Sequence, residues 1–434
     1  MTRKSVLRTL AGVVIVVAIA VILFVVIDQR SDPFQGNAGA RVAGDPAQIA
    51  RGKYIAVAGD CVACHTAPGG EPYAGGLALA TPFGTIVSSN ITADRATGLG
   101  NWTEADFNRA LRRGKGRHGN LYPAMPYTAY VKLSDGDVAD LWAYLQTVTP
   151  AAHDVEEDQL PFPFNQRWLL SFWNLLLFDN APFKANPAQS AQVNRGAYLS
   201  EALEHCGMCH TPKNMLGGDT GAVLQGAKLQ GWHAPDLTNN PHTGLGNWTA
   251  ADIVQYLKTG TNERSAASGP MTEAIEHSTQ HLTDADLAAL AAYYKALPTR
   301  LVTAPSPVAA TDTGFVEGKR VYEAACAACH VYSGKGVRRM IPTLAGSASV
   351  QADDPSSLLH LLLKGGEGPM TATNPTAAGM PRFDWKLNDT QIASVLTYIR
   401  NAWGNAAPAV SASTVASERT SLAAAAPLAS KAHP

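Results

Sequence analysis

The sequence has little charge and no excess of either sign. Its 434 residues include 34 Lys and Arg against 35 Asp and Glu, and charged residues make up only 16%. A protein whose main task is to bind nucleic acid needs a strongly basic surface, so that class is excluded. The hydrophobic share of 46% also excludes a wholly disordered chain. The length instead predicts several domains, each with its own core.

Cysteine is also scarce, and no cysteine is left over for a disulfide framework. The six residues form three C-x-x-C pairs, each followed at once by histidine. With 6 Cys and 12 His in this length, chance predicts about 0.002 copies of this pattern, which is the attachment motif for c-type haem. The sequence therefore predicts three covalently bound haem c groups. The residues are Cys61, Cys64 and His65; Cys206, Cys209 and His210; and Cys326, Cys329 and His330.

Two other uses of C-x-x-C fit less well. A structural zinc site needs four ligands, whereas each motif offers three locally. A thioredoxin-like redox pair would not need the histidine and would not normally occur three times. In an oxidising compartment, unpaired thiols require an explanation, and a thioether bond to haem supplies one.

A single long apolar run lies near the N-terminus, from Leu10 to Ile27, after a basic flank containing Arg3, Lys4 and Arg8. Its 18 residues are near the lower limit for a membrane-spanning helix, and we predict an uncleaved anchor at residues 1–28, with a cleaved signal peptide as the alternative. The basic flank should stay in the cytoplasm. The haem domains are then expected on the periplasmic side of the inner (cytoplasmic) membrane of a bacterium.

One small domain recurs three times. A glycine with a tyrosine close by precedes each haem motif, and a helix with a capping residue (Ser134, Thr283 or Asn388) and an aromatic ring ten positions on closes each copy. Glycine on the first helix would let the last helix cross it closely, as in single-haem cytochrome c domains. We predict a mainly α chain of three tandem class I-like cytochrome c domains behind the anchor. The expected ranges are 45–150, 187–298 and 313–404 for the domains, 151–186 and 299–312 for linkers, and 405–434 for a disordered Ala-rich tail.

The second axial ligand of each iron is expected to be methionine. A thioether raises the reduction potential, whereas a second histidine lowers it. Met125, Met271 and Met380 each precede the closing helix of their copy, which favours them over ordinary core filling. In the third copy Met340 and Met370 remain alternatives. Histidines that compete in principle are His118, His205, His233, His242, His277, His281 and His360.

The first linker contains the strongly apolar stretch Trp168–Phe178. It is too short to span a bilayer. It is either a helix buried between two haem domains or an interfacial helix lying on the membrane beside a quinone path.

The chain resembles the tri-haem cytochrome c subunits of bacterial membrane-bound dehydrogenases for alcohols, aldehydes, gluconate and related compounds. The resemblance covers about residues 45–404 and rests on the three haem motifs with TPFGTIVSSNITADRATGLGNW, LYPAMPY, FPFNQRW, HCGMCHTPKN, STQHLTDADL and MPRFDW. It implies a catalytic partner subunit of flavin, quinone-cofactor or molybdenum type, and ubiquinone as electron acceptor. It also implies that the motif histidines and Met125, Met271 and Met380 ligate iron.

The function expected from the sequence is electron transfer without substrate chemistry, because Met ligation leaves no open iron position. Nothing in the chain resembles a dinucleotide or phosphate loop. The sequence leaves two alternatives open: a tethered shuttle to a terminal oxidase, and a peroxidase-like multihaem enzyme with one open iron.

Overall fold

The structure is a computed structural model that describes residues 3–36, 44–156 and 158–424. It is mainly helical, and its strands pair only into small antiparallel sheets. Among the described residues the helices are α1 Arg3–Arg30, α2 Pro46–Ala58, α3 Cys61–Cys64, α4 Glu104–Arg113, α5 Tyr127–Tyr130, α6 Asp135–Leu145, α7 Leu170–Leu177, α8 Ala191–Tyr198, α9 Gly207–His210, α10 Ala250–Thr259, α11 Pro270–His277, α12 Asp284–Ala296, α13 Thr313–Ala325, α14 Ala327–His330, α15 Ala348–Gln351, α16 Ser356–Lys364, α17 Asp389–Ile399 and α18 Ala412–Ala424.

Within the described ranges, the strands form one three-stranded sheet and three two-stranded antiparallel sheets. The sheet has the order β1–β2–β5, and its register pairs Ala78 with Val87 and Thr85 with Gln159. The strands are β1 Ala78–Thr81, β2 Gly84–Val87, β3 Lys115–Gly116, β4 Gly119–Asn120, β5 Asp158–Gln159, β6 Gln225–Leu229, β7 Trp232–Asp236, β8 Gly366–Glu367 and β9 Gly379–Met380.

The close helix crossing expected in each repeat is present. A Cβ atom built on Gly52 of α2 would lie 1.9 Å from the backbone oxygen of Asp140 in α6. The corresponding distances are 1.9 Å from Gly196 to Ala289 and 2.0 Å from Gly318 to Ser394. Only glycine allows this approach, so the first and last helices of each repeat meet backbone to backbone.

The closing helices begin at the residues that the sequence indicated. The side chains of Ser134, Thr283 and Asn388 each accept a hydrogen bond from the backbone N–H three residues later. At Asn388 the Gln391 side chain also accepts from the Asn388 backbone, which completes a capping box. These caps satisfy N–H groups that would otherwise lack a partner at the start of the helix.

The chain forms two compact units, and their division does not follow the repeat borders. Unit 1 comprises residues 1–52 and 74–182, and unit 2 comprises residues 53–73 and 183–434. The segment 53–73, which carries the first haem motif, belongs with unit 2 because it bonds to the second repeat. Ser278 Oγ donates to the Ala58 carbonyl at 2.8 Å, and Tyr54 Oη donates to Asp286 Oδ2 at 2.6 Å.

The expectation of a disordered tail over 405–434 is wrong for residues 405–424. Helix α18 packs on α16 and α17, and it buries Val415 and Leu422 in the core of the third repeat. Arg419 bonds to Asp389 at 2.9 Å, so the apolar contacts are supplemented by an ion pair. The Ala-rich composition concealed apolar residues at helical spacing. Residues 425–434 lie outside the described residues.

Within residues 3–36, 44–156 and 158–424, α1 is the one helix long and apolar enough to cross a membrane. The qualifying stretch is Lys4–Arg30, with a mean hydropathy of 3.5 in its best window, and none of that window is buried by the rest of the protein. From Phe24 onward the helix contacts unit 1, where Phe24, Val25, Asp28 and Gln29 become half-buried. These four positions share one face of the helix.

Candidate haem sites

Each haem motif lies on a single helical turn. The backbone N–H of His65 donates to the Cys61 carbonyl at 3.0 Å, and the other two motifs repeat this bond at 3.0 and 2.9 Å. In a helical turn, residues three and four apart lie on the same side, so the two sulfurs and the imidazole of each motif can face the same bound group. All six cysteines are free of disulfide bonds.

Backbone carbonyls orient the imidazoles of the second and third motifs. His210 Nδ1 lies 2.7 Å from the Pro235 carbonyl oxygen, and His330 Nδ1 lies 3.3 Å from that of Pro342. A carbonyl can only accept, so Nδ1 carries the proton and Nε2 keeps its lone pair for a metal. These two acceptors could not be predicted from the sequence, because every residue type has a backbone carbonyl.

The ionisation of the motif side chains suits haem attachment. Burial lowers the pKa of His210 and of His330, which keeps each imidazole neutral as a ligand must be. Burial also raises the pKa of Cys61 to about 12 and that of Cys206 to about 11. Thiols of this kind are poor redox nucleophiles, which disfavours a thioredoxin-like role. In the part of the chain that the structure describes, no group of three or more His, Cys, Asp or Glu side chains has the geometry of a separate metal site.

The three expected methionines occupy different local structures. Met125 lies in a tight turn, where its N–H donates to the Tyr122 carbonyl at 3.0 Å just before α5. Met271 is the second residue of α11, and Met380 is on β9, where it pairs with Gly366. All three are half-buried. Met125 lies in unit 1, and the other two lie in unit 2.

In the third repeat, burial separates Met380 from its two alternatives. Met380 packs against the same hydrophobic cluster that contains Cys326. Met340 is 63% exposed and Met370 is 39% exposed. Of the three methionines, Met380 is the one that packs against this core, and its role as an iron ligand stays a prediction.

The first haem motif adjoins the second within unit 2. Helix α11 packs against α3, and His205 Nε2 lies 3.4 Å from the Gly59 carbonyl oxygen. Beside them Ser278 Oγ lies 3.2 Å from the buried carboxyl of Glu204. Burial raises the pKa of Asp60 to about 8, with repulsion from Glu273 as a further cause. These contacts between the first haem motif and the second repeat could not be predicted from the sequence, because their residues come from distant parts of the chain.

The second repeat is also joined to the third. The Trp232 and His360 rings stack with centroids 4.0 Å apart, and the His233 N–H donates to Ser357 Oγ at 2.8 Å. Within unit 2, packing therefore joins the first haem motif to the second repeat and the second repeat to the third.

Two thiols and an imidazole on one helical turn match the donor set that covalent haem requires, and this pattern occurs three times. In the second and third motifs a backbone carbonyl also orients the imidazole. These features define a multihaem c-type cytochrome. The family model for cytochrome c matches residues 49–149, 193–298 and 315–403. The chain belongs to the cytochrome c family.

Several curated relatives are similar over most of the chain. The gluconate 2-dehydrogenase cytochrome c subunit of Pantoea cypripedii is 40% identical over 86% of this chain and 90% of its own length. The cytochrome c subunit of the quinone alcohol dehydrogenase of Gluconobacter oxydans strain 621H is 40% identical, covering 87% of this chain and 83% of its own. The fructose dehydrogenase cytochrome subunit of Gluconobacter japonicus is 39% identical, covering 85% and 82%.

The comparisons confirm the resemblance seen in the sequence. They also confirm the predicted fold class of three cytochrome c domains, and with it three covalently bound haem c groups.

Proposed function

We propose that this chain is an electron-transfer subunit that takes electrons from a catalytic dehydrogenase subunit and passes them to ubiquinone in the membrane. The observation that carries the proposal is the presence of three haem motifs in one chain, within a single compact unit. The relatives named as cytochrome subunits of gluconate, alcohol and fructose dehydrogenases support the partner class.

The side chains that would hold the haems follow from the motifs. Cys61, Cys64, Cys206, Cys209, Cys326 and Cys329 would form the thioethers, His65, His210 and His330 would ligate iron on one side, and Met125, Met271 and Met380 would ligate it on the other. When bound, each haem supplies a one-electron iron couple, and methionine ligation favours a raised potential. Oxidation of substrate on the partner subunit would release two electrons, and these would pass to the haem groups one at a time. Ubiquinone takes up both electrons with two protons from water.

The proposed location is the cytoplasmic membrane, with the haem domains on the periplasmic side. Helix α1 supports an anchor: its apolar side chains from Leu10 to Leu23 are exposed, as expected for contact with lipid. The basic residues at its start favour a cytoplasmic N-terminus.

The test of this function is affinity purification of the tagged full chain from detergent-solubilised membranes. The expected result is a co-purifying subunit that contains flavin, a quinone cofactor or molybdenum and that reduces the haems when its substrate is added. Isolation of a terminal oxidase instead would support a shuttle. A high-spin haem with peroxide turnover would support a peroxidase.

A further inference from the structure

Helix α7 presents an apolar face that the rest of unit 1 does not cover. Leu175 and Leu176 lie three and four residues after Phe172 in α7, so these three side chains share one side of the helix. Trp168 lies in the 3-10 turn that leads directly into α7. Leu176 is 74% exposed and Leu175 is 64% exposed. We call this surface the outer face, and it comprises Trp168, Phe172, Leu175 and Leu176.

The opposite side of α7 is firmly attached to unit 1. Leu170 is buried in a cluster with Tyr122 and Leu160, against which Trp173 also packs. Tyr127 Oη donates to Asn174 Oδ1 at 2.8 Å. Because the inner side is fixed, the outer face is a defined surface of the folded unit. A patch of this kind on a soluble protein marks an interaction site.

The outer face is continuous with the anchor helix. The Phe172 ring lies 5.1 Å from the Phe24 ring of α1, and Ser171 Oγ donates to Asp28 Oδ2 at 2.6 Å. Lys115 Nζ lies 2.9 Å from Asp28 Oδ1, which places a polar layer at the end of the apolar run. Phe24 is four residues before Asp28, or about 6 Å along the helix axis.

The position of Phe24, about 6 Å from Asp28 along α1, matches the depth of a helix that lies in the membrane interface. The run from Leu10 to Ile27 is about 27 Å long as a helix, close to the thickness of the hydrocarbon core. Phe172 therefore meets α1 just inside the hydrocarbon boundary. Interfacial helices bury their apolar face about 5–10 Å into this region. Tryptophan is enriched in the membrane interface, and the outer face contains Trp168.

We propose that the outer face of α7 is a second membrane contact, which inserts into the periplasmic leaflet beside α1 and holds unit 1 against the lipid surface. This inference rests on the membrane anchoring by α1 proposed above. We identify the bilayer as the partner of the outer face, because lipid around the anchor helix α1 would also surround the contact between Phe24 and Phe172.

The test is spin labelling of the full haem-loaded chain in phospholipid nanodiscs. Thioether formation consumes the six native cysteines, so a single introduced cysteine reacts alone. Separate variants Leu176→Cys on the outer face, Leu301→Cys in the exposed linker and Val16→Cys in α1 carry a nitroxide. Relaxation by oxygen, which partitions into lipid, is compared with relaxation by a water-soluble nickel chelate, each against the nitrogen baseline of the same sample.

The expected result at Leu176→Cys is a strong oxygen effect with a weak nickel effect, as at Val16→Cys and opposite to Leu301→Cys. A dominant nickel effect at Leu176→Cys places the outer face in water and overturns the proposal. Weak effects of both reagents indicate a protein–protein contact and also overturn it. If the label at Val16→Cys reports water, the anchor itself is wrong, so the two failures are distinguishable.

Discussion

Substitution of Gly52 by alanine probes the helix crossing on which each repeat depends. The new Cβ would lie 1.9 Å from the Asp140 carbonyl oxygen and 2.8 Å from Tyr144 Cβ. Ordinary contact begins at 3.4 Å, so α2 and α6 must separate by about 1.5 Å. The obstacle is backbone, which cannot rotate away as a side chain can.

The cost follows from that displacement. Overpacking of a core costs about 1–3 kcal/mol, and a gap of this size also forfeits a large part of the dispersion contacts between the helices. We expect a loss of about 3 kcal/mol, at the upper end of that range. Local opening of α6 would then be about a hundredfold more frequent.

The assay is amide hydrogen exchange of peptides covering α6 in the haem-loaded protein. Gly136→Ala is the matched control, because Gly136 lies in α6 itself and is exposed. Apart from its adjacent residues and the helix's own backbone, a Cβ atom built on it would have its nearest neighbour at 3.9 Å. The control should exchange as slowly as the parent or more slowly, since alanine favours helix. Equal protection in the Gly52→Ala variant, the control and the parent would refute the argument from the close crossing.

Three further outcomes are expected. Met380→Leu should remove the sulfur-to-iron charge-transfer absorbance of one haem and lower its potential, whereas Met370→Leu should change neither; the reverse pattern would reassign the ligand. Burial opposes ionisation of Asp286, but hydrogen bonds, chiefly from Arg195, outweigh it and lower the pKa of Asp286. The Asp286–Arg195 pair therefore stabilises the fold above about pH 4, and this stabilisation is lost as the pH falls through the lowered pKa. Asp286→Asn should lower the free energy of unfolding by about 1 kcal/mol at pH 7, a small value because Arg195 is partly exposed. In chemical unfolding, the difference between the variant and the parent should shrink at pH 3. Val415→Asp should release α18 from the third repeat and make it sensitive to protease, and a helix that stays resistant would show that Val415 does not hold it.

Local features of this chain could be predicted from its sequence. The glycine and capping positions act through their own backbone and the next helical turn, and Gly318 and Asn388 behave as their residue types require. The haem motif is equally local, because one turn of helix brings its three side chains together. These signals need no knowledge of the rest of the fold.

Features that depend on distant contacts could not be predicted in this way. The carbonyls of Pro235 and Pro342 that orient the imidazoles carry no side-chain signal. The assignment of residues 53–73 to unit 2 depends on bonds such as that from Ser278 to Ala58, which join positions far apart in sequence. Helix α18 was mistaken for a disordered tail because its stability comes from packing on α16 and α17 rather than from its composition.

Transfer of electrons through this chain to a quinone can be measured directly. The direct measurement uses the haem-loaded chain in vesicles, reduced without oxygen, freed of reductant and mixed with a water-soluble ubiquinone analogue while the ferrous haem absorbance is recorded. We expect all three haems to be reoxidised and ubiquinol to form, with one quinone reduced for every two electrons released. Haems that stay reduced with the quinone, and are reoxidised only by peroxide or by a terminal oxidase, would contradict this expectation.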